Sequence, residues 1–398
     1  MDQDDARPTG QGATQSGLRA HNERLLLSTI RRRGPMPGSE LAREVGLSAQ
    51  TVSIILRDLE GVGLLARGEP QRGRVGKPSI PMTLAADGAF SVGLKIGRRS
   101  ADLALMDLHG KVRGQLGLTY RYPLPDQIFG FLRLGLDQLS GTLPRRLVPR
   151  ICGIGLAAPF EIWKWHEVVG APAETFRVWR DIDFAAEVAR FSDLPVSVVN
   201  DATAACRAEQ VFGRGPAFRD WAYVFVGAFI GGGVVLNGTV YEGARGNAGA
   251  LGSLRSVNAR GENVQLIDTA SLHLLEARLA AAGKDPGGLW ARPQDWTPYA
   301  AETDAWIAEA GPEIAKAALS ACAVIDFEAV LIDGAFPPEV RRRLVQEVER
   351  HVAGLDSRGL IVPRIEAGSV GVNARVIGAA YGPISSQYFL APGPALAG

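Results

Sequence analysis

The stretch VFVGAFIGGGVVLNG, residues 224–238, sets glycines, among them Gly227, Gly231 and Gly232, around an apolar turn between two β-branched runs. Such turns cradle phosphates, because missing side chains let oxygens approach backbone N–H groups. Nucleotide binding is therefore the first chemistry to weigh. A second group follows the run PVSVV, where Asn200 and Asp201 close an expected strand. A carboxylate at a strand's C-terminal end is well placed to bond or deprotonate a ligand hydroxyl. It is equally suited to capping the helix expected over ATAACRAEQVF. A third group is basic. Between positions 18 and 79 there are eleven Lys/Arg and six acids, about +5, in a chain whose net charge is +1. The remainder is near −4, the asymmetry expected when one small module meets nucleic-acid phosphates.

The elements that position the basic residues read as helix, turn, helix. Asn22 caps ERLLLSTIRRR, which Gly34 and Pro35 stop. Ser39 caps ELAREV, Gly46 makes a tight turn, and Ser48 caps AQTVSIILRDLEGVG. In that last helix Val52, Ile55, Leu56 and Leu59 form one stripe, leaving Gln50, Thr51, Ser53 and Arg57 outside. After Gly63, LLARGEPQRGRVGKPSIPMTL reads as two short strands around a loop carrying Arg72, Arg74 and Lys77, which is the pattern of a wing. A helix starting with small polar residues suits the major groove, and a basic loop suits phosphates or the minor groove. The same helix spacing occurs in purely structural trihelical modules. The turn, the polar face and the basic wing together favour double-stranded DNA as partner.

Beyond Phe90 strands and helices alternate, so the class is α/β. FSVGLKIG, ADLALMDL and KVRGQLGLTY read as three hairpin-connected strands with a turn at His109-Gly110, and WAYVFVGAF, GGGVVLNG and TVYEG repeat the pattern. Two similar lobes meeting at a cleft are expected. At 398 residues the chain suits two or three domains. It contains no run of 18 uninterrupted apolar residues, so no bilayer span is expected. MDQDDARPTGQGATQSG lacks a secretory signal and reads as a solvated tail, residues 1–17, of a cytoplasmic protein. Cys152, Cys206 and Cys322 are widely spaced and the histidines are scattered, so no disulfide framework and no linear zinc motif is written.

LSAQTVSIILRDLEGVGLL, GRVGKP, LALMDLHGKV, VVNDATAA, GGGVVLNGTVYEGARGNAGALGS and ARVIGAAYG carry a resemblance. In combination they resemble the ROK family, repressors and sugar kinases built on the actin-like ATPase fold, in its form with a winged helix-turn-helix. The resemblance covers about residues 18–382. It implies a winged helix over 18–84 and a ligand-binding domain over 85–398. Lobe 1 is then about 88–198 with the C-terminal helix of about 371–398, and lobe 2 about 199–370. It further implies a sugar, polyol or related ligand in the cleft, and a homodimer or tetramer on a pseudo-palindromic operator.

Against that resemblance the nucleotide parts have drifted. Where a kinase resembles Asp-x-Gly-Gly-Thr, this chain has Lys95, Ile96, Gly97, Arg98 and Arg99. Where the second loop resembles Gly-Thr-Gly-Ile-Gly-Gly-Gly, Ala228 and Phe229 replace a hydroxyl and a glycine. At the adenosine end Gly334 is kept, and Ala335 stands for a second glycine. The glycines then shape a turn and a close strand contact. Ala250 and Ser253 stand where the family carries a sugar-binding Glu and a zinc-binding His, and no cysteine follows. Neither ATP nor zinc is expected, and no catalytic residue. Asn200, Asp201, Asn247 and Glu161 remain as ligand candidates. Trp163 and Trp165 alternate as strand residues do, as core or as a face for a sugar ring.

The expected function is a DNA-binding regulator, with repression as its output, of carbohydrate genes, controlled by a small ligand that closes the lobes and changes the spacing of the winged helices. The alternatives are a sugar kinase with an appended DNA-binding domain, and a DNA-binding scaffold governed by a protein partner.

Overall fold

The computed structural model describes residues 15–70, 79–166, 171–258 and 260–390, which fall into two compact units. One holds the described residues up to Gly88 and those from Ser385 onward; the other runs from Ala89 to Ile384.

In the first unit, α1 (Gln15–Arg33), α2 (Gly38–Val45) and α3 (Ala49–Gly61) pack with β1 (Met36–Pro37), β2 (Leu65–Arg67) and β3 (Pro81–Leu84), an antiparallel sheet of order β1-β3-β2. Leu26 and Ile30 of α1, Leu41 of α2, and the expected stripe of α3 are all buried. Gly46, at φ 68°, ends α2 in the left-handed region that only a residue without Cβ adopts freely. Ser48 Oγ accepts the Thr51 N–H at 3.1 Å, as its cap assignment requires.

Two caps and one boundary differ from expectation. α1 begins at Gln15, because nothing in QSGLRAH interrupts it, so Asn22 is interior and residues 15–17 are helix rather than tail. α2 begins at Gly38 without a side-chain cap; Pro37, at φ −66°, leads the chain in, and Ser39 lies within the first turn. The segment from Ser385 completes this unit. Leu390 N–H donates to Ser28 Oγ at 2.9 Å, and the Arg31 guanidinium lies 4.8 Å from the centre of the buried Phe389 ring. Burial lowers Arg31 to about 10.

In the second unit, β4 (Phe90–Ile96), β5 (Ser100–Asp107), β6 (Val112–Thr119), β7 (Ile151–Ala158) and β8 (Val196–Asn200) form a sheet of order β6-β5-β4-β7-β8. A second sheet repeats that order as β11-β10-β9-β14-β15. It consists of β9 (Trp221–Val226), β10 (Ile230–Leu236), β11 (Thr239–Tyr241), β14 (Ala329–Gly334) and β15 (Arg364–Ala367). A hairpin of β12 (Arg255–Val257) and β13 (Asn263–Gln265) stands beside it. In both sheets three antiparallel strands precede two parallel ones, because consecutive hairpins come first and helical crossovers follow. The described helices are α4 (Pro125–Ser140), α5 (Ala173–Arg177), α6 (Phe184–Ala189), α7 (Asp201–Phe212), α8 (Ile267–Ala270), α9 (Leu272–Ala281), α10 (Ala300–Cys322), α11 (Pro338–Val352) and α12 (Ala374–Tyr388). Each sheet has its own apolar core, around Leu94, Leu103 and Trp179 in lobe 1 and Trp221, Phe225 and Trp306 in lobe 2.

α12 packs unusually close to its neighbours. A Cβ on Gly155 of β7 would lie 1.8 Å from the Ala379 carbonyl, and one on Gly378 would lie 1.7 Å from that of Ala204 on α7. The small residues of ARVIGAAYG are what permit this approach. The turn entering α12 is held by two buried carboxylates. Glu209 accepts the N–H groups of Ser369 and Val370, each at 3.0 Å, and Asp333 accepts that of Gly371 at 2.7 Å. Bonds to a charged acceptor are worth about 1.5–3 kcal/mol each, enough in number to offset desolvation of several kcal/mol.

Candidate functional site

The DNA-facing candidates stand on α3. Ser48, Gln50, Ser53 and Arg57 are exposed and Thr51 is half-buried, its Oγ1 2.8 Å from Ser48 Oγ. Those two hydroxyls are thus engaged at the helix start, while the exposed Gln50, Ser53 and Arg57 have no side-chain hydrogen bond or ion pair among the described residues. Elsewhere in the unit acids neutralise arginines: Arg19 pairs with Glu23 and Asp58, Arg33 with Glu44, Arg67 with Glu60. Arg24, Arg32, Arg43 and Arg57 have no carboxylate partner among the described residues. Arg72, Arg74 and Lys77 lie outside the described residues.

In the second unit Asn200, not Asp201, caps α7: its Oδ1 accepts the N–H groups of Ala202 and Thr203 at 3.0 and 3.1 Å. Asp201 is thereby free for another partner, and Arg375 of α12 supplies it, Nη1 to Oδ2 at 3.2 Å. Glu161 sits at a left-handed turn, φ 49°, and pairs with Lys164 at 2.7 Å. Asn247 lies half-buried in the loop between β11 and β12. No bond among the described residues joins Glu161 or Asn247 to the Asn200–Asp201 pair. Trp163 and Trp165 lie on a 3₁₀ turn, Ile162–Trp165, rather than a strand.

The segments around Arg98 and Phe229, read above as altered phosphate loops, meet each other. The Phe229 ring stacks on Trp165 at 4.5 Å, and the Arg98 guanidinium lies 5.8 Å from its centre. Arg98 also forms a buried ion pair with Glu276 of α9 at 2.5 Å, and Trp290 Nε1 donates to the same carboxylate at 2.7 Å. Side chains from both lobes thus fill the space between the loops. The backbone donors of the glycine turn are used internally as well: Gly227 N–H goes to Phe229 O at 3.2 Å and Ile230 N–H to Ser271 Oγ at 2.9 Å. The neighbouring glycines serve packing. A Cβ on Gly231 would meet Ala202 Cβ at 3.0 Å, one on Gly232 the Tyr223 carbonyl at 2.4 Å, and one on Gly334 the Phe336 ring at 2.4 Å.

Lys95 is buried beside Gly97, its ammonium 3.0 Å from Ser100 O and 3.1 Å from Asp102. Burial pushes it down to about 8 against the pull of Asp102. Burial works against ionising Asp102 too, but Lys95 and Arg292 outweigh it and hold its carboxyl below the ordinary range. Next to this pair opens a cavity of about 280 Å³, bordered by Lys95, Arg292, Arg375, Trp290 and Ala335. Sequence reasoning missed Asp102, Glu276, Arg292 and Arg375. Arg375 alone left a signal, as a cation among the small residues of ARVIGAAYG, where burial demands a carboxylate partner. The free thiols differ in depth: Cys206 and Cys322 are buried and Cys152 is half-buried.

A ROK family model matches residues 91–262, and a MarR family model matches residues 21–71. The chain is 26% identical over 242 residues to the xylose repressor of Bacillus subtilis, a match covering 61% of this chain and 62% of that protein. It is 24% identical over 255 residues to the DNA-binding transcriptional dual regulator NagC of Escherichia coli, covering 62% and 60%. It therefore spans about three fifths of the length of each. The crystal structure of a ROK family transcriptional regulator, a homolog of the E. coli MLC protein, matches with a TM-score of 0.66 at 20% identity, covering 93% of this chain and 96% of that one. The MarR match falls on the three-helix unit and the ROK match on the lobed α/β unit, so the chain joins a MarR-type winged helix to a ROK family domain, with the fold of that regulator.

Proposed function

We propose that this protein is a DNA-binding transcriptional regulator, acting as a repressor, whose hold on its operator answers to a sugar, polyol or related small ligand in the cleft. The observation that carries the reading is the surface of α3, where Gln50, Ser53 and Arg57 project from a helix anchored by four buried apolar residues. Gln and Arg at such positions bond base edges in the major groove, and unpaired arginines around them meet phosphates. The relatives named above, a xylose repressor and NagC, support it. Two copies on an inverted repeat are part of the proposal, since paired recognition helices require two half-sites.

Phosphoryl transfer is not part of it. The reading that the kinase activity is lost is supported by Lys95 in place of a metal-holding carboxylate and by the Arg98, Phe229 and Trp165 stack between the loops. A reaction that depends on positioning phosphates and metal has little left to work with. Zinc is likewise left out, because Ala250, Ser253 and the β12–β13 hairpin offer no thiolate or imidazole. In the cleft, Asp201 and the free amide of Asn200 are the groups assigned to ligand hydroxyls.

Selection of genomic fragments on the purified protein, followed by sequencing, tests the proposal. Enrichment of fragments sharing an inverted repeat is expected. Enrichment identical to that of a variant with Gln50, Ser53 and Arg57 all changed to Ala would remove its basis.

A further inference from the structure

The cavity beside Lys95 adjoins the Asn200–Asp201 pair through Arg375, which lines it and pairs with Asp201, but neither Asn200 nor Asp201 lines it. Its volume of about 280 Å³ is at the small end of ligand pockets, which run from roughly 300 Å³ upward. Three cations border it, Lys95, Arg292 and Arg375, against one carboxylate, Asp102. That carboxylate is shared: Oδ2 is 3.1 Å from Lys95 Nζ, and Oδ1 is 3.4 Å from Arg292 Nη2, at the outer limit of a hydrogen bond. Among the described residues Arg292 otherwise bonds only a neutral acceptor, Asn373 Oδ1 at 2.9 Å. Arg375 is only 8% exposed; one nitrogen goes to Asp201, and its Nε, itself without accessible surface, has no acceptor among the described residues. A buried donor left unfilled is uncommon. Asp102 and Asp201 together neutralise two of the three cations, so one positive charge is left over, and the accessible unused donor capacity is that of Arg292, whose side chain is 40% exposed. Planar guanidinium forks match carboxylate and phosphate oxygens. The apolar faces of Trp290, Leu118 and Val372 complete the lining. A nucleoside triphosphate is too large for this volume, and a neutral polyol would leave the charge uncompensated.

We propose that this cavity is a second small-molecule site, selective for a compact organic anion whose phosphate or carboxylate group is held by Arg292 and Arg375. The proposal does not rest on the DNA-binding reading, and either can fail without the other.

Calorimetric titration of the full chain with glycerol 3-phosphate, with malonate and with neutral glycerol tests it. We expect saturable binding of at least one of the two anions, with Kd of about 1 mM or tighter, and none of glycerol. Malonate binding alone would identify a carboxylate site, and glycerol 3-phosphate binding alone a phosphate site. Arg292→Gln, at a side chain that is 40% exposed, is expected to weaken the binding at least tenfold. Arg342→Gln on the exposed face of α11 is expected to leave it unchanged. Thr119→Phe, at an exposed position on the rim, blocks the cavity without removing a charge and is expected to abolish the heat. No saturable heat from either anion, or equal affinity in wild type, Arg292→Gln and Thr119→Phe, would overturn the proposal.

Discussion

Arg375 of α12 holds Asp201 at the start of α7 in an ion pair of 3.2 Å, and the same guanidinium lies 4.8 Å from the centre of the Phe225 ring. The carboxylate assigned to ligand hydroxyls is thus also the main counter-charge of a nearly buried arginine. Asp201→Asn leaves Arg375 uncompensated, which at this depth costs about 3 kcal/mol, so thermal unfolding shifts down clearly. Asp201→Asn with Arg375→Met removes both charges and recovers most of that stability. If Asp201 bonds the ligand, the double variant still gives no ligand-induced rise in Tm. A full ligand response in the double variant would reduce Asp201 to a structural role.

Phe229 and Arg98 fill the gap between the two altered loops, so neither change alone recreates a phosphate site. Wild type, Phe229→Gly and Arg98→Gly are all expected to release no ADP above background when incubated with ATP, magnesium and a sugar panel. Sugar-dependent ADP release by wild type would contradict the reading that transfer is lost. Arg98→Gly also leaves the buried Glu276 with Trp290 and the longer Arg99 pair at 3.7 Å, and is expected to destabilise by about 2 kcal/mol in chemical denaturation.

Lys95 gives a pH signature. Its folded value near 8 lies below the unfolded value of about 10.4, chiefly because burial opposes the charge. A lysine depressed in this way opposes folding while charged. The penalty is fully present below pH 8 and is relieved as pH rises from about 8 toward 10.4. Relative to Lys95→Met, the wild-type chain should therefore gain stability between pH 8 and 10, read as a widening difference in Tm. A difference that stays flat across that range would show that Lys95 titrates normally.

On α3 the cap and the reading face separate experimentally. Ser48→Ala removes the bond to Thr51 N–H and is expected to cost about 1 kcal/mol of stability in the winged-helix unit. Gln50 and Arg57 are exposed and make no hydrogen bond or ion pair among the described residues. Gln50→Ala and Arg57→Ala are each expected to weaken operator binding by about 1–3 kcal/mol, and to do so far more for the operator than for random DNA. Equal loss on both would place these side chains on phosphates rather than bases.

The architecture was legible because its signals are local. Period-3.6 stripes gave α2 and α3, and two matching sets of three strands gave the repeated sheets. Boundaries that depend on partners were not: the start of α1 before Asn22, and the attachment of Phe389 to Arg31, a residue more than 350 positions earlier. In the site, the resemblance marked Phe229 as crowding a phosphate loop and Lys95 as replacing a metal-holding carboxylate. What fills the cradle instead, the stack of Trp165 on Phe229 and the Arg98–Glu276 pair, joins residues about 60 and 180 positions apart and leaves no periodic trace. Asn200 rather than Asp201 caps α7, which leaves Asp201 to pair with Arg375, because one residue of helix register decides which side chain is the cap.

Fluorescence anisotropy on the fragment enriched most strongly, set against random duplex of equal length at about 0.15 M salt, bears most directly on the central claim. The expected result is an affinity for that fragment at least about 10³-fold above random DNA, changed at least tenfold by one member of a sugar and polyol library. Equal affinity for every genomic fragment and for random duplex, at matched salt, would contradict a role as a sequence-specific regulator.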